Sequence, residues 1–95
     1  MKVYISGKIT GIEEEALALF QHAECLLQGE GHQTINPINL PHDHDQSWHS
    51  FMREDIKALC DCDAIYMLKN WKDSKGAIIA NEIANYIGLE VMYEI

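Results

Sequence analysis

Apolar residues along the chain switch between two spacings. Val3, Tyr4 and Ile5 form a short contiguous run, and Ala16, Leu19, Phe20, Ala23, Leu26 and Leu27 then recur at intervals of three and four. The first pattern predicts a buried strand over about residues 2–6, and the second predicts a helix over about 12–29 with one inward face. Glu13, Glu14 and Glu15 fall in the first turn of that helix, where its dipole favours negative charge, and Gly29-Glu30-Gly31 stops it. The cycle then repeats. A short strand over about 32–36 ends at Asn36-Pro37, and the proline-bearing, polar stretch 37–46 reads as a loop. A helix over about 47–60, capped by Ser47 or Asp45, turns Trp48, Phe51, Met52, Ile56 and Leu59 inward. Residues 64–68 are apolar throughout, as a strand covered on both faces should be. Lys69 to Lys72 form a loop with Trp71 at its tip. The third helix runs from Asp73 or Ser74 to about Ile87, with Ala77, Ala80, Ala84 and Ile87 inward, and is closed by Gly88 before a last strand over 89–93.

Strands that alternate with helices predict a parallel sheet with right-handed crossovers. The expected strand order is 2-1-3-4 in one α/β domain covering residues 1–95. Its switch point lies between strands one and three, and ligands bind above the strand ends there. That geometry gathers Tyr4, Ser6, Gly7, Thr10 and Gly11 with Trp71, Asp73, Ser74 and Gly76. Asp55 on the second helix and Asp63 at the start of the third strand supply carboxylates. The turn from Gly7 to Gly11 lacks the Gly-Lys-Ser/Thr ending of a Walker motif, and Gly7 is explained as readily by a turn that needs positive φ.

Composition narrows the partners. Apolar content of 47% with 23% charged residues is that of a globular domain. The formal net charge is −8 and the seven Lys and Arg residues are scattered, which disfavours nucleic acid but leaves a small nucleotide open. No apolar run approaches the roughly 20 residues of a membrane span, and the N-terminus lacks a secretory pattern. Cys25, Cys60 and Cys62, an odd number, predict reduced thiols in a cytoplasmic protein. Cys60-Asp61-Cys62 lacks the spacing of a metal knuckle and reads as a helix end meeting a strand start. His42-Asp43-His44-Asp45 and His49 offer donors of a type suited to zinc, yet alternate residues in a loop rarely converge. A solvated loop is expected, with no metal and no cofactor, or a lid that brings Trp48 or a histidine towards a ligand.

Several landmarks occur together in order: Tyr4-Ile5-Ser6-Gly7-Lys8-Ile9-Thr10-Gly11, Asn36-Pro37, Arg53-Glu54-Asp55-Ile56, Cys62-Asp63-Ala64-Ile65-Tyr66, and Trp71 with Ser74-Lys75-Gly76-Ala77. In that arrangement the chain resembles the nucleoside 2-deoxyribosyltransferase-like superfamily, through its small bacterial and phage members and, more distantly, the 2′-deoxynucleoside 5′-phosphate N-hydrolases. The resemblance implies a flavodoxin-like (Rossmann-like) three-layer fold and a pocket for a deoxyribonucleoside or its 5′-monophosphate. It implies that Ser6, Gly7, Ile9, Thr10 and Gly11 take the phosphate, that Ser74 and Gly76 add to the site, and that Tyr4 lies beneath the sugar. It also makes Asp55 and Asp63 candidates for the acid that protonates or orients the leaving base. Cleavage of an N-glycosidic bond develops oxocarbenium character, so a carboxylate on one face and an acid near the base suit the reaction. As surface residues, Asp55 would instead pair with Lys57 or Arg53, and Asp63 would cap a turn. Trp71 is expected to stack on a base or to anchor a subunit interface. Assembly as a dimer or higher homo-oligomer is expected, with Tyr66, Tyr86, Met92 and Tyr93 as core or interface residues.

One position departs from the pattern. The superfamily places its nucleophilic glutamate six residues after the serine of Ser-x-Gly, and here that residue is Ala80. The nearest carboxylate, Glu82, is two positions on, a rotation of roughly 200° about the helix. Either Glu82 reaches the site through a shifted helix start, or Asp73 substitutes, or the chain is a non-catalytic nucleotide-binding or oligomeric interaction module. The two leading expectations are thus an N-glycosidase or deoxyribosyltransferase and a binding module.

Overall fold

Each strand–helix alternation forms where the apolar spacing changes. The computed structural model describes residues 1–95, with strands β1 (Lys2–Ser6), β2 (Gln33–Ile35), β3 (Ala64–Met67) and β4 (Glu90–Tyr93). Helices α1 (Glu13–Gly29), α2 (Trp48–Cys60) and α3 (Lys75–Tyr86) connect them. The sheet order is β2-β1-β3-β4 and every neighbouring pair is parallel, as the alternation predicts. Helices cover both faces, which gives the three-layer, flavodoxin-like arrangement.

Side-chain alternation along the strands divides the core in two. Val3, Ile5, Ala64, Tyr66 and Leu68 pack with Ala16, Phe20, Ala23 and Leu27 of α1. Tyr4, Ile65 and Met67 face the other way, onto Leu59 of α2 and Ala77, Ala80 and Ala84 of α3. The buried stripe of α1 is narrower than its apolar positions suggest: Leu19 is half-buried and Leu26 exposed, because the sheet meets only the line 16–20–23–27. Ile87 is also exposed, since α3 ends at Tyr86, and Asn81 is buried on that helix with its amide donating to the Tyr93 hydroxyl at 3.2 Å. Tyr66 is core, Met92 is half-buried, and Tyr86 and Tyr93 are exposed.

Two stretches expected as loops contain short 3-10 turns, Pro37–Asn39 and Trp71–Asp73. The Asn36 side chain starts the first by accepting the Ile38 N–H. Ser47 caps α2 and Ser74 caps α3, accepting the N–H groups of Ser50 and Ala77. Cys60 ends α2, and the buried Cys62 donates its thiol to the Ala58 carbonyl, which makes it a packing residue.

The crossing of β1 into its turn depends on a glycine, though not for positive φ. Gly7 has no left-handed backbone, but a Cβ there would lie 2.7 and 2.9 Å from the Leu68 side chain and 3.0 Å from Asn70 Oδ1. The chain after β3 therefore presses directly on the β1 turn, and Asn70 accepts the Lys8 N–H at 3.0 Å. Gly7→Ala should lower stability by about 1–3 kcal/mol through this overlap, read as a reduced urea midpoint with an unchanged slope.

Candidate functional site

α2 meets the sheet fully only at its C-terminal end. Leu59 is buried, whereas Phe51, Met52 and Ile56 are half-buried and Trp48 is exposed. Above the end of β1 this leaves a cavity of about 230 Å³, near the small end of ligand pockets. β1 and its turn contribute Tyr4, Ser6, Gly7, Ile9 and Thr10; α2 contributes Trp48, Phe51, Met52, Asp55, Ile56 and Leu59. Ser74, Gly76, Ala77 and Ala80 form the α3 wall, and Phe20 and Pro37 complete the lining. Gly76 lets α3 approach α2 closely, because a Cβ there would lie 3.0 Å from Met52 Sδ.

Only two ionisable groups line this space, Tyr4 and Asp55, and no lysine or arginine does. One Asp55 carboxyl oxygen is buried with no hydrogen-bond partner. Burial raises its pKa to about 6, against the opposing fields of His42 and His44 and with a small addition from Glu54. Neither Arg53 nor Lys57 pairs with it; the Lys57 ammonium binds Glu54 instead, at 3.2 Å. The Tyr4 hydroxyl is held well above its ordinary pKa by burial first and then by Asp55 and Cys62, so it stays a neutral donor.

Only some backbone amides of the turn after β1 find partners within the chain. Lys8 donates to Asn70, Ile12 to the Ile9 carbonyl, and Gly11 to both oxygens of Glu13 at 2.8 and 3.0 Å. The amides of Gly7, Ile9 and Thr10, all cavity residues, have no partner within the chain. Ser74 Oγ accepts from Ala77 at 3.2 Å, leaving its own hydrogen free for a ligand.

The structure therefore brings Tyr4, Ser6, Gly7, Ile9, Thr10, Asp55, Ser74 and Gly76 together, and leaves five predicted residues outside. Gly11 turns away because Glu13 takes its amide. Trp71 packs half-buried against the α2/α3 side of the core, its ring 5.9 Å from that of Tyr93. Asp63 opens β3, so it stands at the end of the parallel sheet opposite the cavity, where it accepts the Lys2 N–H at 2.9 Å. Glu82 is exposed on α3, while Ala80 lines the cavity. Asp73 is exposed and does not line it either. No group of three or more His, Cys, Asp or Glu side chains is placed to hold a metal ion.

Residues 1–93 match the family model described as "Domain of unknown function (DUF4406)". The chain belongs to the DUF4406 family. No curated protein sequence matches it. This DUF4406 chain is similar in structure to a 2-deoxyribosyltransferase from the psychrotolerant bacterium Bacillus psychrosaccharolyticus, with a TM-score of 0.76 at 22% identity. That similarity covers 98% of this chain and 71% of the other. A 2-desoxiribosyltransferase from Leishmania mexicana is similar with a TM-score of 0.73 at 16% identity, over 97% of this chain and 62% of its own. At these identities the likeness is one of fold. No helix of the DUF4406 chain is long and apolar enough to cross a membrane.

The sequence pattern assigned Trp48, Phe51, Met52 and Ile56 to the core, and they are instead cavity wall. A signal of this was present: Asp55 falls in the same helical stripe, four residues after Phe51 and three after Met52. A folded-state pKa above the unfolded 3.8 means that Asp55 favours folding at low pH and that this contribution is lost as pH rises through about 6. Asp55→Asn should therefore match the parent below pH 4 and become more stable above pH 7, by about 1–2 kcal/mol after screening at the open cavity. Melting temperatures across that range provide the check.

Proposed function

We propose that this domain binds a deoxyribonucleoside in the α2/α3 cavity, with Asp55 meeting the base and the β1 turn meeting the sugar. The observation that carries the reading is one cavity that holds an unpartnered buried carboxyl oxygen and is lined by Gly7, Ile9 and Thr10, whose backbone amides have no partner within the chain. Leaving that carboxyl oxygen buried and unpaired costs about 1–3 kcal/mol unless a ligand completes it. Phe51, Trp48 and Met52 offer the apolar surface on which a base lies. The fold shared with the two deoxyribosyltransferases supports the same class of ligand.

A free nucleoside suits the cavity better than its 5′-monophosphate. No cation lines the wall, and Glu13, Glu14 and Glu15 follow directly on the turn that would hold a phosphate. Covalent glycosyl transfer lacks its nucleophile, because the α3 wall presents Ala80 and the exposed Glu82 does not reach the cavity. The reading is therefore of a binding module whose one acid orients a base. A hydrolytic reading is favoured by one feature, the burial that pushes the Asp55 carboxyl up to about 6, which suits a proton donor to a departing base. A cytoplasmic setting for the three unpaired thiols and self-assembly through the exposed Ile78, Tyr86 and Tyr93 belong to the same proposal.

Calorimetric titration with purine and pyrimidine deoxynucleosides, and with their 5′-monophosphates, tests this reading. A deoxynucleoside should bind and Asp55→Asn should weaken it by about tenfold to a hundredfold, the worth of a hydrogen bond to a charged group. Chromatography should detect no free base from the unaltered chain and some from Ala80→Glu. Base release by the unaltered chain, abolished by Asp55→Asn, would establish the hydrolytic reading instead.

A further inference from the structure

Trp48 belongs to the cavity and to the surface at once. It lines the space from its α2 side, yet it is 39% exposed, whereas Leu59 at the other end of the helix is buried. The indole therefore stands at the outer rim. One helical turn on, Met52 packs closely against Gly76 of α3. At the rim itself α3 supplies a cation: the Lys75 ammonium lies over the Trp48 ring, 4.7 Å from its centroid.

No carboxylate competes for that ammonium. Lys75 is exposed and unpaired, and the one ion pair of the chain joins Lys57 to Glu54. An ammonium within about 6 Å of an indole centroid is held by the negative face of the ring. Ser74 and Gly76, on either side of Lys75, both line the cavity, while the lysine itself does not. It acts on the space through Trp48. An indole close to a carboxyl would otherwise draw positive charge, because the aromatic face, Asp55 and a net charge of −8 all favour it. Here the chain's own lysine already takes that attraction up.

We propose that Lys75 determines the charge specificity of the cavity: held on Trp48, it makes the site take neutral bases and reject cationic ones, ring-alkylated or protonated. The inference rests on the cavity being a base site. A base in van der Waals contact with the indole lies roughly 8 Å from the Lys75 nitrogen, the cation's height over the ring plus one contact distance. Like charges at that separation, at a protein surface and screened by salt, lower affinity about threefold to tenfold. A neutral base meets no such repulsion and keeps the apolar surface. His49 also meets the indole, at 80° with centroids 5.4 Å apart, and Asp55 draws cations the other way. The lysine's own part is therefore the change that its removal makes.

One arm of the test needs no nucleoside. In a Trp71→Phe background, Trp48 emission is quenched with neutral acrylamide and with the N-methylpyridinium cation. Lys75→Met keeps the aliphatic stem and should raise pyridinium quenching severalfold with acrylamide quenching unchanged, while Lys75→Arg behaves as the parent. The other arm alters only the exposed Lys75. Calorimetry at neutral pH compares 2′-deoxyadenosine with its cationic N1-methyl derivative, and the preference for the neutral nucleoside should fall about threefold to tenfold in Lys75→Met. Comparing variants cancels the effect of the methyl group itself. An unchanged preference would overturn the proposal, as would pyridinium quenching equal to the parent's. So would acrylamide quenching that rises in step, since the lysine would then only pack the rim. Binding of no deoxynucleoside by any variant would overturn the base-site reading and the specificity with it, and the quenching pair tells that failure from a failure of the lysine.

Discussion

A carboxyl group inside the apolar stripe of a helix sets the terms for the rest of this fold. α2 presents Trp48, Phe51, Met52, Ile56 and Leu59 to the sheet, as any amphipathic crossover helix does, with Asp55 among them. Full closure of α2 onto Tyr4 and the α3 alanines would bury that carboxyl completely, and an isolated buried charge costs several kcal/mol. The helix instead seats only its C-terminal turn, through Leu59, and stands away from the sheet along the rest. The cavity is the space so left. Its apolar walls and its single acid come from the same run of sequence.

The opposite wall is fixed by close approach rather than by polar capping. Leu68 and Asn70 press on the turn after β1 so tightly that only glycine fits at position 7, and Asn70 takes the next amide along. Glu13 then satisfies Gly11 from the far side. Between these two anchors the amides of Gly7, Ile9 and Thr10 have nothing in the chain to bind. The turn is held from both ends while its middle stays open to the cavity. Free amides can persist there because solvent or a ligand can satisfy them, whereas in a closed core they would be penalised.

Most of this arrangement was legible in the sequence because it depends on local spacing and strand direction. Element order, the 2-1-3-4 sheet and the residues after β1 follow from apolar period and the crossover rule. Asp63 failed as a site residue for a reason that was available: a residue that opens a parallel strand lies at the edge opposite the ligand crevice. Gly11 and Trp71 fall outside the cavity for reasons that were not, which removes the base-stacking reading of Trp71 and not its interface reading. One depends on which way a glutamate turns at a helix start, and the other on the aromatic neighbour that β4 supplies 22 positions later in the chain, Tyr93. Positive φ was the wrong account of Gly7, since the contact that excludes a side chain comes from residues 68 and 70. The inter-ring contact of His42 and His44 was equally invisible, because alternate residues in a loop face one another only when the loop is folded onto Phe51.

Ala80 completes the chemical logic of the cavity. It sits on the wall where a longer acidic side chain would reach the interior, and the exposed Glu82 cannot replace it without unwinding α3, whose start is fixed by the Ser74 cap. What lines it is one carboxyl, one neutral phenol, a few hydroxyls and a turn with three amides unpaired in the chain. Such a set can orient a polar heterocycle and exchange a proton with it, but it holds no second carboxylate to stabilise or trap positive charge at an anomeric carbon. Attack from the α3 side would have to come from water, for which Ala80 leaves room and no base. The acid that keeps α2 from closing is thus also the only carboxyl inside the cavity, which ties the packing of this domain and its chemistry to one side chain.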